Sequence, residues 1–362
     1  MSGVDVALVV VRLAVGVWLL WSVPRLARPP RAGELSGVSV VVPARNEASA
    51  LPALLESLPS AVQVVVVDDH SDDETSAVAL AGGAVVVESA PLPDGWTGKA
   101  WACEQGAERA AGSILVFVDA DVRFGPGGLE AVVAELRDRG GLVSVQPFHR
   151  PARSVEHLAA LFNVVGFAGT DAGSPLGRGR GTRGAFGPVL ATSRADHRRV
   201  GRHESVRASI VDDVALAERY RDESLPVTIV GGHDDVSFRM YPEGLGQLVE
   251  GFTKNLAAGA RSVRLVTTAL VVAWLTLLVQ AAVAPARAVA TGDALLVPAA
   301  LYLAVALQVW WMARRLGRFS PLVAATFPAS LLLFLGVFVR SVVAAARGSV
   351  SWRGRRVSLR PR

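Results

Sequence analysis

Hydrophobic positions fall along this chain in three regimes. Residues 6–23 form an apolar run carrying Trp18 and Trp21 near its end, followed by Pro24, Arg25, Arg28 and Arg31. The pattern predicts a retained membrane helix over 1–24 and not a cleaved leader, because the first charge is Asp5 and the arginines follow the run. Its carboxyl end is expected in the cytoplasm. Arg12, inside the run, is expected to snorkel or to face other helices.

Over 37–245 the apolar positions change period. Strands are predicted at 38–43, 63–68, 84–88 and 114–119, with helices at 49–58, 75–81 and 99–110. Strands that are apolar throughout are buried on both faces. Their alternation with helices implies an α/β fold, a largely parallel sheet covered on both sides. Ligands of such sheets bind beyond the carboxyl ends of the strands.

The third regime begins near Gly244. Leu245, Leu248, Val249, Phe252 and Leu256 recur at helical spacing, with Gln247, Glu250, Thr253 and Lys254 on the other side. This reads either as an amphipathic helix on a membrane surface or as a core helix of the catalytic domain. Because apolar segments follow directly, an interfacial helix over 246–263 is the expectation. Segments 265–284, 294–313 and 321–343 are each long enough to cross a bilayer. They make up a membrane region over 264–345, and 346–362 is a basic tail.

Composition strengthens the membrane reading: 51% of the 362 residues are hydrophobic, and mean hydropathy is +0.39. The net charge of +5 is carried almost entirely by arginine. These arginines flank apolar segments, which points to anionic head groups and the positive-inside rule and away from nucleic acid. The single cysteine, Cys103, excludes an intramolecular disulfide. The chain reads as a multi-pass protein of the cell (inner) membrane with a cytoplasmic catalytic domain. One span before that domain and three after it would leave the tail outside. Arg347, Arg353, Arg355, Arg356, Arg360 and Arg362 favour the inside, so one C-terminal segment is expected to be re-entrant or interfacial.

Candidate chemistry gathers at the strand ends. Val67-Asp68-Asp69-His70-Ser71 closes the second strand, where carboxylates can accept hydrogen bonds from a nucleobase N–H and a ribose hydroxyl. A helix N-cap by Ser71, Asp72 or Asp73 is the structural alternative. Phe117-Val118-Asp119-Ala120-Asp121 places two carboxylates close together after a buried strand. A divalent cation, Mg²⁺ or Mn²⁺, bridging a diphosphate would relieve their repulsion. Pro43-Ala44-Arg45-Asn46-Glu47 ends the first strand, where the base and diphosphate of a nucleotide would pass. The loop Pro93-Asp94-Gly95-Trp96-Thr97-Gly98-Lys99 sets an ammonium near a helix N-terminus and suits an anionic diphosphate. Asp212 and Asp213, after Ile210-Val211, open a predicted helix at 214–220. They either complement its dipole or supply a general base.

The series PARNE, VDDHS, DAD and the later VDD resembles the family 2 inverting glycosyltransferases of the GT-A fold. LPDGWTGKAWA, LVSVQPFH, AFGPV, FRMYPEG, EGFTKN and VSWRGRRV resemble more closely the carotenoid-acid (diaponeurosporenoate) and hopanoid-associated glycosyltransferases. The resemblance implies transfer of one sugar, glucose foremost, from a UDP-sugar to a membrane isoprenoid or other lipid, either a carotenoid acid or a hydroxyl. By the same resemblance Asp69 contacts uracil, Asp119 is the first acid of the Asp-X-Asp, Asp121 is the direct metal ligand, and Asp212 or Asp213 is the base. Pro43, Arg45, Glu47, Asp68 and Lys99 complete the expected donor site. Processive polysaccharide synthases carry Gln-X-X-Arg-Trp, but this chain reads Gln247-Leu248-Val249-Glu250-Gly251-Phe252, which favours single-sugar addition. A membrane nucleotidyl- or phosphoryl-transferase would be expected to carry a phosphate loop, and the sequence contains none.

Overall fold

The computed structural model describes residues 3–27, 35–259, 262–352 and 355–358, so Arg28, Arg31, Arg353, Arg360 and Arg362 lie outside the described residues. The chain forms two compact units. One comprises Pro24–Phe148, Gly184–Arg239 and Gly348–Arg362, and the other Met1–Val23, His149–Arg183 and Met240–Arg347.

The first unit is built on a seven-stranded sheet. Its order is Val85–Glu88, Gln63–Asp68, Val38–Ala44, Ile114–Val118, Val189–Ser193, Leu142–Gln146, Val227–Gly231. The first four strands are mutually parallel, as is the Leu142–Gln146 and Val227–Gly231 pair. Val189–Ser193 runs antiparallel to both its neighbours, so the sheet is largely parallel with one reversed strand. Register sets Ala44 level with Asp68 and Asp68 level with Glu88, which aligns the carboxyl ends along one edge.

Helix Gly98–Arg109 packs on the strands Val38–Ala44 and Gln63–Asp68. Gly106 permits the approach: a Cβ there would lie 2.4 Å from Val41 Cγ1 and 3.0 Å from Val67 Cγ2. The Thr97 hydroxyl caps this helix by accepting from the Ala100 N–H. Val41, Val67, Cys103, Phe117, Leu216 and Tyr220 share one buried core, with the Tyr220 and Thr192 hydroxyls 2.7 Å apart. The predicted boundaries shift by one or two residues, to Leu51–Ser57 for the first helix of this unit and Ile114–Val118 for the fourth strand.

The second unit is helical. Helices Leu265–Thr291, Leu296–Ala313 and Phe327–Arg347 are long and apolar enough to cross a membrane. The third predicted segment is interrupted at Thr326, between Pro321–Ala325 and Phe327–Arg347. The N-terminal helix, Gly3–Leu19, has 17 residues, the short end of the spanning range. It packs on Leu265–Thr291 and Leu296–Ala313, and Arg12 donates to the Gln280 side-chain oxygen at 3.2 Å. Gln308 in turn donates to the Leu13 carbonyl and accepts from the Trp274 indole. Arg12 thus faces other helices, one of its two expected settings.

The helix Leu245–Gly259 corrects an expectation. Leu248 and Phe252 were expected to face lipid head groups, but they are 1% and 7% exposed. Phe252 stacks on Phe162 at 4.1 Å and meets Tyr241 edge-on at 5.1 Å. Gly251 allows this, since a Cβ there would lie 2.4 Å from the Tyr241 ring. An aromatic-bearing stripe with ring partners in its own unit is buried among them, as hydrophobic burial favours.

Candidate active site

The loops after the first two strands are laced together. Asn46, at φ 55°, donates its N–H to the Ser71 hydroxyl and accepts at Oδ1 from the Asp72 N–H. The Glu47 N–H donates to Thr75 Oγ1, and the Ala48 N–H to Asp73. Arg45 Nη1 stands 3.7 Å from Asp69 Oδ2, a cation and an acceptor side by side at the edge of the sheet. Asp68 is engaged otherwise. It accepts from the Ser71 N–H at 2.9 Å and from the Ser76 hydroxyl, holding the turn into helix Thr75–Ala81. Of the neighbours that the sequence offered as caps, Asp73 accepts from the Thr75 N–H at 3.1 Å, at the start of that helix.

Asp119 follows Val118 directly, and its N–H donates to the Pro188 carbonyl of the reversed strand's approach. Lys99, in the first turn of Gly98–Arg109, lies with Nζ 2.6 Å from Asp119 Oδ1. Burial opposes the lysine's charge, but the carboxylates of Asp119 and Asp212 outweigh it and hold the ammonium above the usual lysine range. Asp121 lies on the far side of the tight turn that the Val122 N–H closes on the Asp119 carbonyl. Its carboxyl is pushed up to about 7, by burial first and then by Asp119 and Glu47. Glu47 and Asp119 thus act electrostatically on Asp121, and Asp119 and Asp121 offer oxygen donors only. That donor set fits a hard divalent cation.

Asp212 and Asp213 open the helix Asp212–Asp222 but differ in surroundings. Asp212 is 7% exposed, and its carboxylate, the Cys103 thiol and the His203 imidazole offer ligand atoms all within 4.8 Å of one another. Asp213 is half-buried beside Gly187, where an added Cβ would come 2.9 Å from Asp213 Oδ2. Asp213 is the more exposed of the pair. His203 stacks edge-on to Phe117 at 4.6 Å, its Nδ1 lies 3.0 Å from His197 Nε2, and burial pushes its imidazole down to about 3. Pattern reading missed Cys103 and His203. Cys103 sits four residues beyond Lys99 on one helix and so on the same face, the one signal that would have found it.

The comparisons with known proteins agree with this architecture. The family model described as Glycosyl transferase family 2 matches residues 39–166. The chain is 37% identical over 335 residues to the 4,4'-diaponeurosporenoate glycosyltransferase of Staphylococcus aureus strain MRSA252, spanning 89% of this chain and 88% of the relative. The corresponding protein of strain USA300 is 36% identical over 331 residues at the same coverage. Among solved structures, a mannosyltransferase from Pyrobaculum calidifontis in complex with GDP-Man and Mn²⁺ superposes over 94% of this chain and 97% of its own. Its TM-score is 0.56 at 20% identity, a likeness of fold.

Proposed function

Because this chain belongs to the family 2 glycosyltransferases of the GT-A fold, in the branch of the diaponeurosporenoate enzymes, we propose that it moves one glucose from UDP-glucose to a carotenoid acid held in the membrane. The observation that carries this reading is the Lys99–Asp119 pair, 2.6 Å apart at the strand carboxyl ends, with Asp121 across the same turn. Such a site suits a diphosphate leaving group.

Asp69 and Arg45 hold the uracil and the adjoining phosphate, and Glu47 and the end of the strand at Pro43 border the same groove. Lys99 meets the negative charge that grows on UDP as the C1–O bond breaks, an interaction stronger in the transition state than in the ground state. A Mg²⁺ or Mn²⁺ ion held by Asp121 and Asp119 would supply further neutralisation of the diphosphate. The acceptor oxygen attacks C1 opposite the diphosphate in one displacement, which inverts the anomeric centre. Asp213 faces the acceptor. For a hydroxyl it takes the proton. A carboxylic acid is already ionised near neutral pH, which leaves Asp213 only to orient it.

The membrane unit supports an acceptor delivered from the bilayer. A polyene that stays among lipid tails avoids a cost of about 0.8 kcal/mol for each carbon unit moved into water. In this reading 1–24 and 264–345 anchor the enzyme, 37–245 performs transfer on the cytoplasmic side, and the 346–362 tail lies on that side too. Lipid extracts from cells with and without the protein test the assignment by mass spectrometry. Expression should convert a carotenoid acid to a species heavier by one hexose. Identical carotenoid profiles in the two extracts would count against it.

A further inference from the structure

We propose that Cys103, His203 and Asp212 form a second cation site, for a soft divalent ion such as Zn²⁺, made of different residues from the all-oxygen set at Asp119 and Asp121. The three residues come from three separate elements: helix Gly98–Arg109, the turn His203–Val206 and helix Asp212–Asp222. Their ligand atoms nevertheless converge to within 4.8 Å of one another. Each residue is more than nine-tenths buried, and the thiol is free. Tetrahedral zinc, with bonds of roughly 2.0–2.3 Å, sets its ligand atoms about 3.3–3.8 Å apart. Side-chain shifts of about an ångström would close the site around the ion, with water in the fourth position.

The chemistry of the set matches the ion. A thiolate and a carboxylate balance the 2+ charge, and the thiol proton leaves to solvent as the sulfur–metal bond forms. His203 Nδ1 is taken up by His197 Nε2 at 3.0 Å, which leaves Nε2 for the metal. A partner of that kind fixes the tautomer and ring orientation of ligating histidines. Sulfur and imidazole prefer zinc-like ions, and oxygen-only donors prefer magnesium or manganese, so the two sites sort cations by softness. Occupation ties the first turn of Asp212–Asp222, which also carries Asp213, to the helix that carries Lys99. An ion that binds the folded protein alone raises its stability by mass action.

The test uses the metal-free full chain in detergent, with Mg²⁺ in excess, titrated with Co²⁺. Because Cys103 is the only cysteine, any thiolate-to-cobalt charge-transfer band must come from it. The wild type should show the band together with tetrahedral ligand-field absorption, and Zn²⁺ should bleach both. His197→Gln should weaken cobalt binding about 10–100-fold, and Cys103→Ser at least as much. His203→Gln and Asp212→Asn should lose the tetrahedral spectrum while still melting cooperatively. Zn²⁺ should raise the wild-type melting temperature and leave that of Cys103→Ser unmoved. Absence of the band in the wild type overturns the site, as does a band that survives both His203→Gln and Asp212→Asn, which would mark a bare thiol complex.

Discussion

Asp212 and Asp213 are neighbours in sequence that differ in exposure, and the proposals above give them different work. Asp212 is enclosed with Cys103 and His203, whereas Asp213 is half-open beside Gly187. If the acceptor is a carboxylate, Asp213→Asn should slow transfer less than about tenfold. On the matching alcohol, where a proton must leave, the same change should cost on the order of 10²–10⁴. Parallel rate measurements on the two acceptors check this, and equal losses would refute the assignment. Asp119, Asp121 and Lys99 were legible in the sequence because each sits at a strand end or in a first helical turn, where a ligand crevice must lie. Asp68 was not. A carboxylate at the last position of a strand is within reach of the unsatisfied N–H groups that follow, and here Ser71 and Ser76 claim it. Cys103 and His203 were hidden for a different reason, since only tertiary folding brings residues a hundred positions apart together.

At the scale of elements, buried apolar runs and helix starts gave the first four strands and their helices nearly in place. The direction of Val189–Ser193 was not legible, because apolar content is the same whichever way a strand runs. The stripe of Leu245–Gly259 was legible as a stripe, but its partner was not. A helix face buried on Phe162 and one buried in head groups are written with the same residues. His149 belongs to this scale as well, since it anchors a crossing of segments. Its N–H donates to the Leu316 carbonyl, its carbonyl accepts from the Arg318 N–H, and its ring meets Phe319 edge-on at 5.1 Å. Burial pushes the imidazole down to about 3, with Glu156 opposing and His157 reinforcing. In the unfolded chain a histidine titrates near 6.5. The contribution is therefore intact above that pH and is lost as pH falls below it, by at most about 2 kcal/mol at pH 5. Melting curves from pH 7 to 5 should fall more steeply for the wild type than for His149→Gln. Parallel slopes would contradict the assignment.

For the whole molecule, the proposed function carries an expectation of sidedness, with the basic tail on the cytoplasmic side together with the catalytic unit. The arginines near the C-terminus favour the cytoplasm. With three helices long enough to cross among the described residues before that tail, a cytoplasmic tail requires that one of them does not cross fully. A cysteine introduced as Ser358→Cys in a Cys103→Ser background should resist an impermeant thiol reagent on intact cells and react after lysis. Labelling from outside would mean that all three helices cross. The central claim is transfer of a single sugar from UDP-glucose to a carotenoid acid, and one measurement addresses it most directly. Purified full-length enzyme is incubated with UDP-glucose, Mn²⁺ and 4,4'-diaponeurosporenoate in lipid vesicles, and UDP and lipid products are quantified together. One UDP should be released for each monoglucosylated carotenoid ester formed, with both signals lost in Asp121→Asn or on chelation. UDP-glucose left intact, or full turnover in excess EDTA, would contradict it.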